Sequence, residues 1–226
     1  MIMVRNCTNL EELWGYVKGL NRKHFPDNKF APILGNGKTN KPKIMFVFIN
    51  PTARNISSDK SWRGPRFPFI GTKQIWKVFY RAGLFNKELI DKINTSSDWS
   101  VEFTNQVLRF LRNKQIYLTN IVKWTGHDAA LPNSEKIRMF LPVLRKEIEI
   151  VKPRYIVAFG LIPFESLTKS KIRLSGYYER ATKSKTLTTY HIRVGDFKAR
   201  VIPCYFPIGR GNPERAIELL KLVKKL

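Results

Sequence analysis

The stretch Ile44 to Leu84 decides the fold: it opens IMFVFINPT (44–52), passes through a polar loop and closes as FPFIGTKQIWKVFYRAGL (67–84). The apolar run from Ile44 to Ile49 stops abruptly at Asn50-Pro51. A continuous run of that kind reads as a strand buried on both faces, the pattern of a parallel sheet. In open α/β sheets ligands bind beyond the carboxyl ends of the strands. Asn50 is therefore a polar side chain delivered where chemistry is expected. The loop behind it carries aromatics, arginines and glycines before a helix begins, the layout of a site that handles a flat ring.

Working outward, Thr8 to Leu20 is expected to be a helix, opened by Thr8 and Glu11 as a capping box. Residues 21–43 read as an irregular lead-in rich in Pro, Gly, Asn and Lys. Helices are expected at Lys73 to Ala82, with Gly83 as its stop, and at Val101 to Arg112. Ile116 to Ile121 reads as a second strand ending near Asn120. Ser134 to Val151 is a long amphipathic helix with Glu135 in its first turn and Pro153 beyond its end. Tyr155 to Phe159 is a third strand and Pro163 to Thr168 a short helix. Thr188 to Tyr205 reads as a hairpin around Val194-Gly195-Asp196, its second arm from Arg200 forming the fourth core strand. Asn212 to Leu226 closes the chain as a helix. The expected fold is α/β: one domain over 1–226, three layers α/β/α, with a central, mainly parallel sheet of four strands.

The chain has 226 residues, 41 Lys+Arg against 17 Asp+Glu, a formal charge of +24, and 43% hydrophobic residues. That excludes a basic disordered tail. A basic globular domain points first to nucleic acid and second to an anionic membrane surface. No apolar run of about 18 residues and no leader is visible, so an intracellular protein is expected rather than a spanning or secreted one. The Asn-x-Ser/Thr matches at Asn6, Asn55 and Asn94 carry little weight in that setting. Cys7 and Cys204 read as buried free thiols. His24, His127 and His191 do not form a metal pattern, and no nucleotide-cofactor motif is present, so neither metal nor cofactor is expected.

The chain resembles the uracil-DNA glycosylase superfamily. FINPT (48–52) is similar to the GxNPG strand end of its mismatch-specific and single-strand-selective branches. FPFIGTKQIWKVFYRAGL is similar to the FPF…RFWKVIYQAGF segment of the mismatch-specific branch. IYLTNIVKW (116–124) with EKIRMFLPVLRKEIEIVKPRYIVAFG (135–160) resembles the YITNxVK…FLxxxIxxxxPxxIVxLG run of the thermophile and archaeal branches. PCYFPIGRGNPERA (203–216) sits where the family carries its HPS-type loop. The resemblance implies a DNA glycosylase that flips a deaminated base out of DNA and excises it. It assigns Asn50 to positioning the attacking water, Phe69 to stacking on the base, Asn120 to reading the base edge, and Phe206 to Pro213 to the minor groove and phosphates.

The chain departs from the family at Phe48, where the first motif has Gly, and at Phe206 and Ile208, where the second has His or Asn and Ser. Phe206 cannot stabilise a departing base anion as His would. The four cysteines of the iron–sulfur branches are absent.

The chemistry supports the same assignments. A stacked aromatic returns part of the cost of flipping a base. An amide offers one acceptor and two donors to an imide edge. The glycosidic cleavage needs a placed water. No lysine stands out as a Schiff-base nucleophile, so a monofunctional enzyme is expected; Lys123 is the lysine to watch.

The candidate set is Asn50 for catalysis, with Ile49, Phe69 and Asn120 for the base. For DNA it is Arg63, Arg66, Lys123, Phe206, Ile208 as a wedge, Gly209, Arg210, Gly211 and Asn212. Phe67 and Trp62 compete with Phe69 as the stacking ring, and Trp76 reads as core. Arg63 and Arg66 read equally as solvated loop charges. His127-Asp128 reads as an ordinary polar loop. The substrate would be uracil, with hypoxanthine or xanthine as further bases; the protein would act as a monomer. The alternative is a binding protein on the same fold that has lost catalysis.

Overall fold

The computed structural model describes residues 4–95, 99–127, 130–209 and 211–226; Arg210 and Asp128 lie outside the described residues. In chain order, α1 spans Leu10–His24, β1 Asn36–Gly37, β2 Ile44–Phe48, α2 Gln74–Arg81, α3 Lys87–Thr95 and α4 Val101–Asn113. Then follow β3 Ile116–Asn120, α5 Ser134–Val151, β4 Tyr155–Phe159, α6 Leu161–Thr168, α7 Leu174–Ser184, β5 Tyr190–Val194, β6 Phe197–Cys204 and α8 Pro213–Lys224.

The sheet order is β1-β3-β2-β4-β6-β5. The four central strands are parallel, as the unbroken apolar runs require. The sheet has six strands rather than four, because β1 and β5 add antiparallel edges. β1 is too short to leave an apolar pattern. β5 is the first arm of the expected hairpin, joined to β6 by a turn at Gly195 with φ +57.

Alternation along the strands divides the core. Phe46, Phe48, Leu118, Val157, Phe159 and Ile202 face one side, packed by α2, α3, α4, α7 and α8. Met45, Val47, Tyr117, Ile121, Ile156 and Val201 face the other, packed by α1, α5 and α6. The result is three layers, with every residue of β2, β3 and β4 buried.

Helix ends follow their cap residues. α1 starts one residue later than its expected box: Asn9 is the N-cap, accepting from Glu12 N at 2.9 Å, while Glu12 accepts from Thr8 N at 2.6 Å. Ser100 caps α4 and Asn133 caps α5. α3 and α7 were not expected from sequence. α3 carries a legible signal, Asn86 Oδ1 accepting from Leu89 N at 3.2 Å ahead of buried Leu89, Ile90 and Ile93. α7 has no side-chain cap, and Gly176 sits inside it. It is held instead by burial of Tyr177 and Ala181 and by the Tyr177 hydroxyl donating to Thr188 O at 2.9 Å. Cys7 and Cys204 are buried free thiols, as expected. Trp76 is core. No helix among the described residues is long and apolar enough to cross a membrane.

Candidate active site at the carboxyl edge of the sheet

β2 and β3 are parallel neighbours, with Phe48 opposite Asn120. Beyond the strands their loops stay zipped together. Ile121 N donates to Phe48 O (2.8 Å), Val122 N to Ile49 O (2.9 Å), Gly126 N to Pro51 O (3.0 Å) and Ala53 N to Gly126 O (2.8 Å). These bonds fix the half-buried Asn50 relative to Asn120. The Asn50 amide nitrogen donates to the carbonyl of Pro51 at 3.2 Å.

Asn120 is 1% exposed, and neither its side-chain nitrogen nor its oxygen has a partner among the described residues. Buried polar groups are nearly always paired, and each one left empty costs about 1–3 kcal/mol. A flat ligand with complementary donors and acceptors would recover that cost.

Phe69 brings a ring to Phe48, the residue opposite Asn120 in the sheet. Its ring meets Phe48 edge-on at 4.6 Å and 79°, and Phe48 stacks on Phe159 at 4.7 Å. Phe69 has φ +71, a conformation that costs a non-glycine residue about 1–3 kcal/mol. Three donors hold its carbonyl: Thr72 N (3.2 Å), Thr72 Oγ1 (3.0 Å) and Trp76 Nε1 (3.1 Å). Its rivals are placed otherwise. Phe67 is fully buried and edge-on to Trp76, and Trp62 is bound through Nε1 to Pro65 O at 3.0 Å.

Several expected DNA contacts are spent inside the protein. Lys123 is fully buried, ion-paired with Glu147, and donates to Thr119 Oγ1 and to the carbonyl of Asn120, both at 2.6 Å. It is therefore corrected from a DNA contact to a structural cation. Arg66, half-buried, donates to the carbonyls of Ser57, Asp59 and Trp62, stapling its own loop. The Asn212 side chain caps α8, accepting from Arg215 N at 3.1 Å. The Ile49 side chain packs in the opposite core, away from Asn120. Ile208 is half-buried against the core, and Phe206 packs against both core clusters. Arg63 and Gly209 are exposed. Gly211 is required by a close approach, since a Cβ there would run into the Phe206 carbonyl.

Sequence reasoning missed two supports. Asn55 is buried, donating to Phe67 O (2.8 Å) and accepting from Ser57 N and Oγ, so it shapes the loop that presents Phe69. Glu147 is fully buried on α5 and accepts from Gly35 N (2.9 Å), Tyr117 Oη (2.8 Å), Thr119 Oγ1 and Lys123 Nζ. Burial holds the Lys123 ammonium below the usual lysine value, with Glu147 pulling the other way. Burial and the adjoining carboxylate push the Tyr117 phenol well above its usual value, keeping it a donor. This network clamps the backbone of β3 where Asn120 projects. Among the described residues no cluster of His, Cys, Asp or Glu could hold a metal.

Residues 34–219 match the family model described as the Uracil DNA glycosylase superfamily. A curated type-4 uracil-DNA glycosylase from Pyrobaculum aerophilum is 39% identical over 57 residues, covering 25% of this chain and 29% of that relative.

Proposed function

The chain belongs to the uracil DNA glycosylase superfamily, and we propose that it is a monofunctional DNA glycosylase excising uracil, with hypoxanthine or xanthine as further substrates. The observation that carries this reading is the Asn120 amide, buried with neither polar atom partnered among the described residues, at the strand edge shared with Asn50. The flipped base would stack on Phe69 and present its edge to Asn120. Flipping costs a few kcal/mol; stacking returns about 1–3 kcal/mol, and pairing of the empty amide adds to it.

Asn50 would hold a water against the sugar. The C1′–N bond breaks with its electron pair going to the base, the water oxygen adds to C1′, and the proton it loses ends on the departing base. Asn50 is a poor base, so its part is placement, which suits a sugar that develops positive charge before attack. Lys123, the lysine whose ammonium binds the Asn120 carbonyl, is locked to Glu147 and is not offered for imine chemistry, so the product would be an intact strand with an abasic site. The protein would work as a single-domain intracellular monomer on single- or double-stranded DNA, with Arg63, Gly209, Arg210 and Gly211 toward the backbone.

A second reading, a DNA-binding protein with little catalysis, is favoured by one observation: Phe206 and Ile208 bring no side-chain donor to a departing base anion. Oligonucleotides carrying uracil, hypoxanthine, xanthine or mismatched thymine, single- and double-stranded, separate the two. Base release with strand breaks only after alkali supports the enzyme; salt-sensitive binding with no release from any substrate supports the second reading.

A further inference from the structure

A pocket of about 250 Å³ lies apart from Asn50 and Asn120, between α1 and the loop that follows it. Lys18 and Arg22 from α1, and Lys60 from the loop after β2, line it together with the rings of Phe25 and Phe30. Asn21 lines it too; that side chain is 6% exposed and its oxygen has no partner among the described residues. Two carboxylates adjoin the pocket in sequence, but neither Asp27 nor Asp59 lines it, and Asp59 is turned onto Ser61 N and Oγ at 2.7 and 2.8 Å.

The pocket is tied to the candidate active site. Ala31 N, in the pocket wall, donates to Ser58 O at 2.7 Å, in the loop after β2. The Ala31 carbonyl accepts from Thr125 Oγ1 at 2.7 Å, and Asn28 Nδ2 donates to Thr125 O at 3.1 Å, both in the loop after β3. The Phe30 ring lies 6.0 Å from that of His127 in the same loop. The pocket therefore borders the two loops that follow β2 and β3, directly beyond Asn50 and Asn120.

Three cations, with no lining carboxylate among the described residues, attract an anion; the Phe30 ring offers a stacking face; the buried Asn21 oxygen, without a partner among the described residues, suits an exocyclic amino group. These are the three chemical parts of a nucleotide. We propose that this pocket is a second subsite of the nucleic-acid surface, holding a nucleotide that flanks the excised one on the same strand. Lys18, Arg22 and Lys60 take its phosphates and Phe30 stacks on its base. Sequence-tolerant strand binding commonly combines a basic groove with aromatic platforms. The assignment rests on the glycosylase reading for its context, while its binding test does not need turnover.

The test is the affinity of the full chain for a labelled single-stranded oligonucleotide, read by fluorescence anisotropy across a salt series. The triple variant Lys18→Gln, Arg22→Gln, Lys60→Gln is set against Lys114→Gln, Arg154→Gln, Lys198→Gln, exposed cations at the opposite, amino-terminal edge of the sheet. The first triple is expected to weaken binding about tenfold at moderate salt and to reduce the slope of log K against log salt by about 2, because each single-strand phosphate contact contributes roughly 0.7. The second triple is expected to behave as wild type. Phe30→Leu, which keeps apolar volume and removes the stacking face, is expected to weaken binding several-fold with the slope unchanged. Equal losses in both triples, or no loss in the first, would overturn the subsite. Base release by the same proteins is scored separately. A wild type that binds but releases no base defeats the glycosylase reading and leaves the subsite standing or falling on the slopes.

Discussion

Thr119 and Asn120 are neighbours on β3, and the two faces of the sheet treat them in opposite ways. On the α5 side, Thr119, Tyr117, Lys123 and Glu147 form a closed network, fully buried, with each named polar group engaged. On the α2 side, Asn120 is equally buried and neither of its side-chain polar atoms is engaged among the described residues. A satisfied buried network holds a fold in one arrangement. An unsatisfied one costs stability, and it persists where function supplies the missing partner. The contrast separates what builds this site from what is left for a ligand.

Breaking the satisfied side should have the largest effect. Lys123→Met leaves Glu147 as an uncompensated buried charge and is expected to cost about 3–5 kcal/mol in denaturant unfolding. The double variant Lys123→Met, Glu147→Leu should recover much of that loss, because an apolar replacement of a buried pair is often neutral. A single variant as stable as wild type would contradict the network's role.

Next comes the water-placing residue. Asn50→Ala is expected to lower the single-turnover rate of base release about a hundredfold, roughly 2.7 kcal/mol, while DNA binding stays close to wild type. Unchanged turnover would remove Asn50 from the chemistry. A smaller effect is expected from Phe69→Leu, about tenfold in affinity for a DNA carrying the excisable base, from the loss of stacking; an equal loss on undamaged DNA would make the ring a general contact instead.

The smallest effect lies far from the site. Hydrogen bonds from Thr8 hold the Glu12 carboxylate below its usual range. A group whose folded value is depressed contributes stability above its unfolded value and loses it as pH falls through the folded one. Glu12→Gln should therefore leave a slightly shallower loss of stability on acidification, seen as a small difference in Tm between neutral and acid pH. A wild-type acid limb in the variant would mean the cap contributes nothing measurable.

How much was legible follows the same division. The central strands could be read because Ile44 to Ile49, Ile116 to Ile121 and Tyr155 to Phe159 are unbroken apolar runs, and their ends placed Asn50 and Asn120 at one edge of the sheet. The empty Asn120 amide could not be read, since satisfaction depends on what surrounds a side chain. Lys123 was misplaced because its partner lies on another element. A signal existed: Glu147 interrupts the apolar stripe Phe140, Val143, Leu144, Ile148, Val151 of α5, and a carboxylate on a buried stripe asks for a cation. Arg66 gave no such sign, because the carbonyls it binds belong to a loop whose path no periodicity encodes. Asn212 was read as a DNA contact at the head of the closing helix, although its place before Pro213 and Glu214 carried the signal of a cap. The subsite beside α1 was invisible because its cations come from segments far apart in sequence.

The central claim is that Asn120 is kept unsatisfied for a substrate base. Asn120→Ala tests it when unfolding stability and base release are measured on the same protein. The prediction is a protein as stable as wild type or more so, since an unpaired buried amide is removed, together with base release lowered about a hundredfold or more. A variant that unfolds more easily and still releases base at the wild-type rate would make Asn120 a structural residue and contradict the claim.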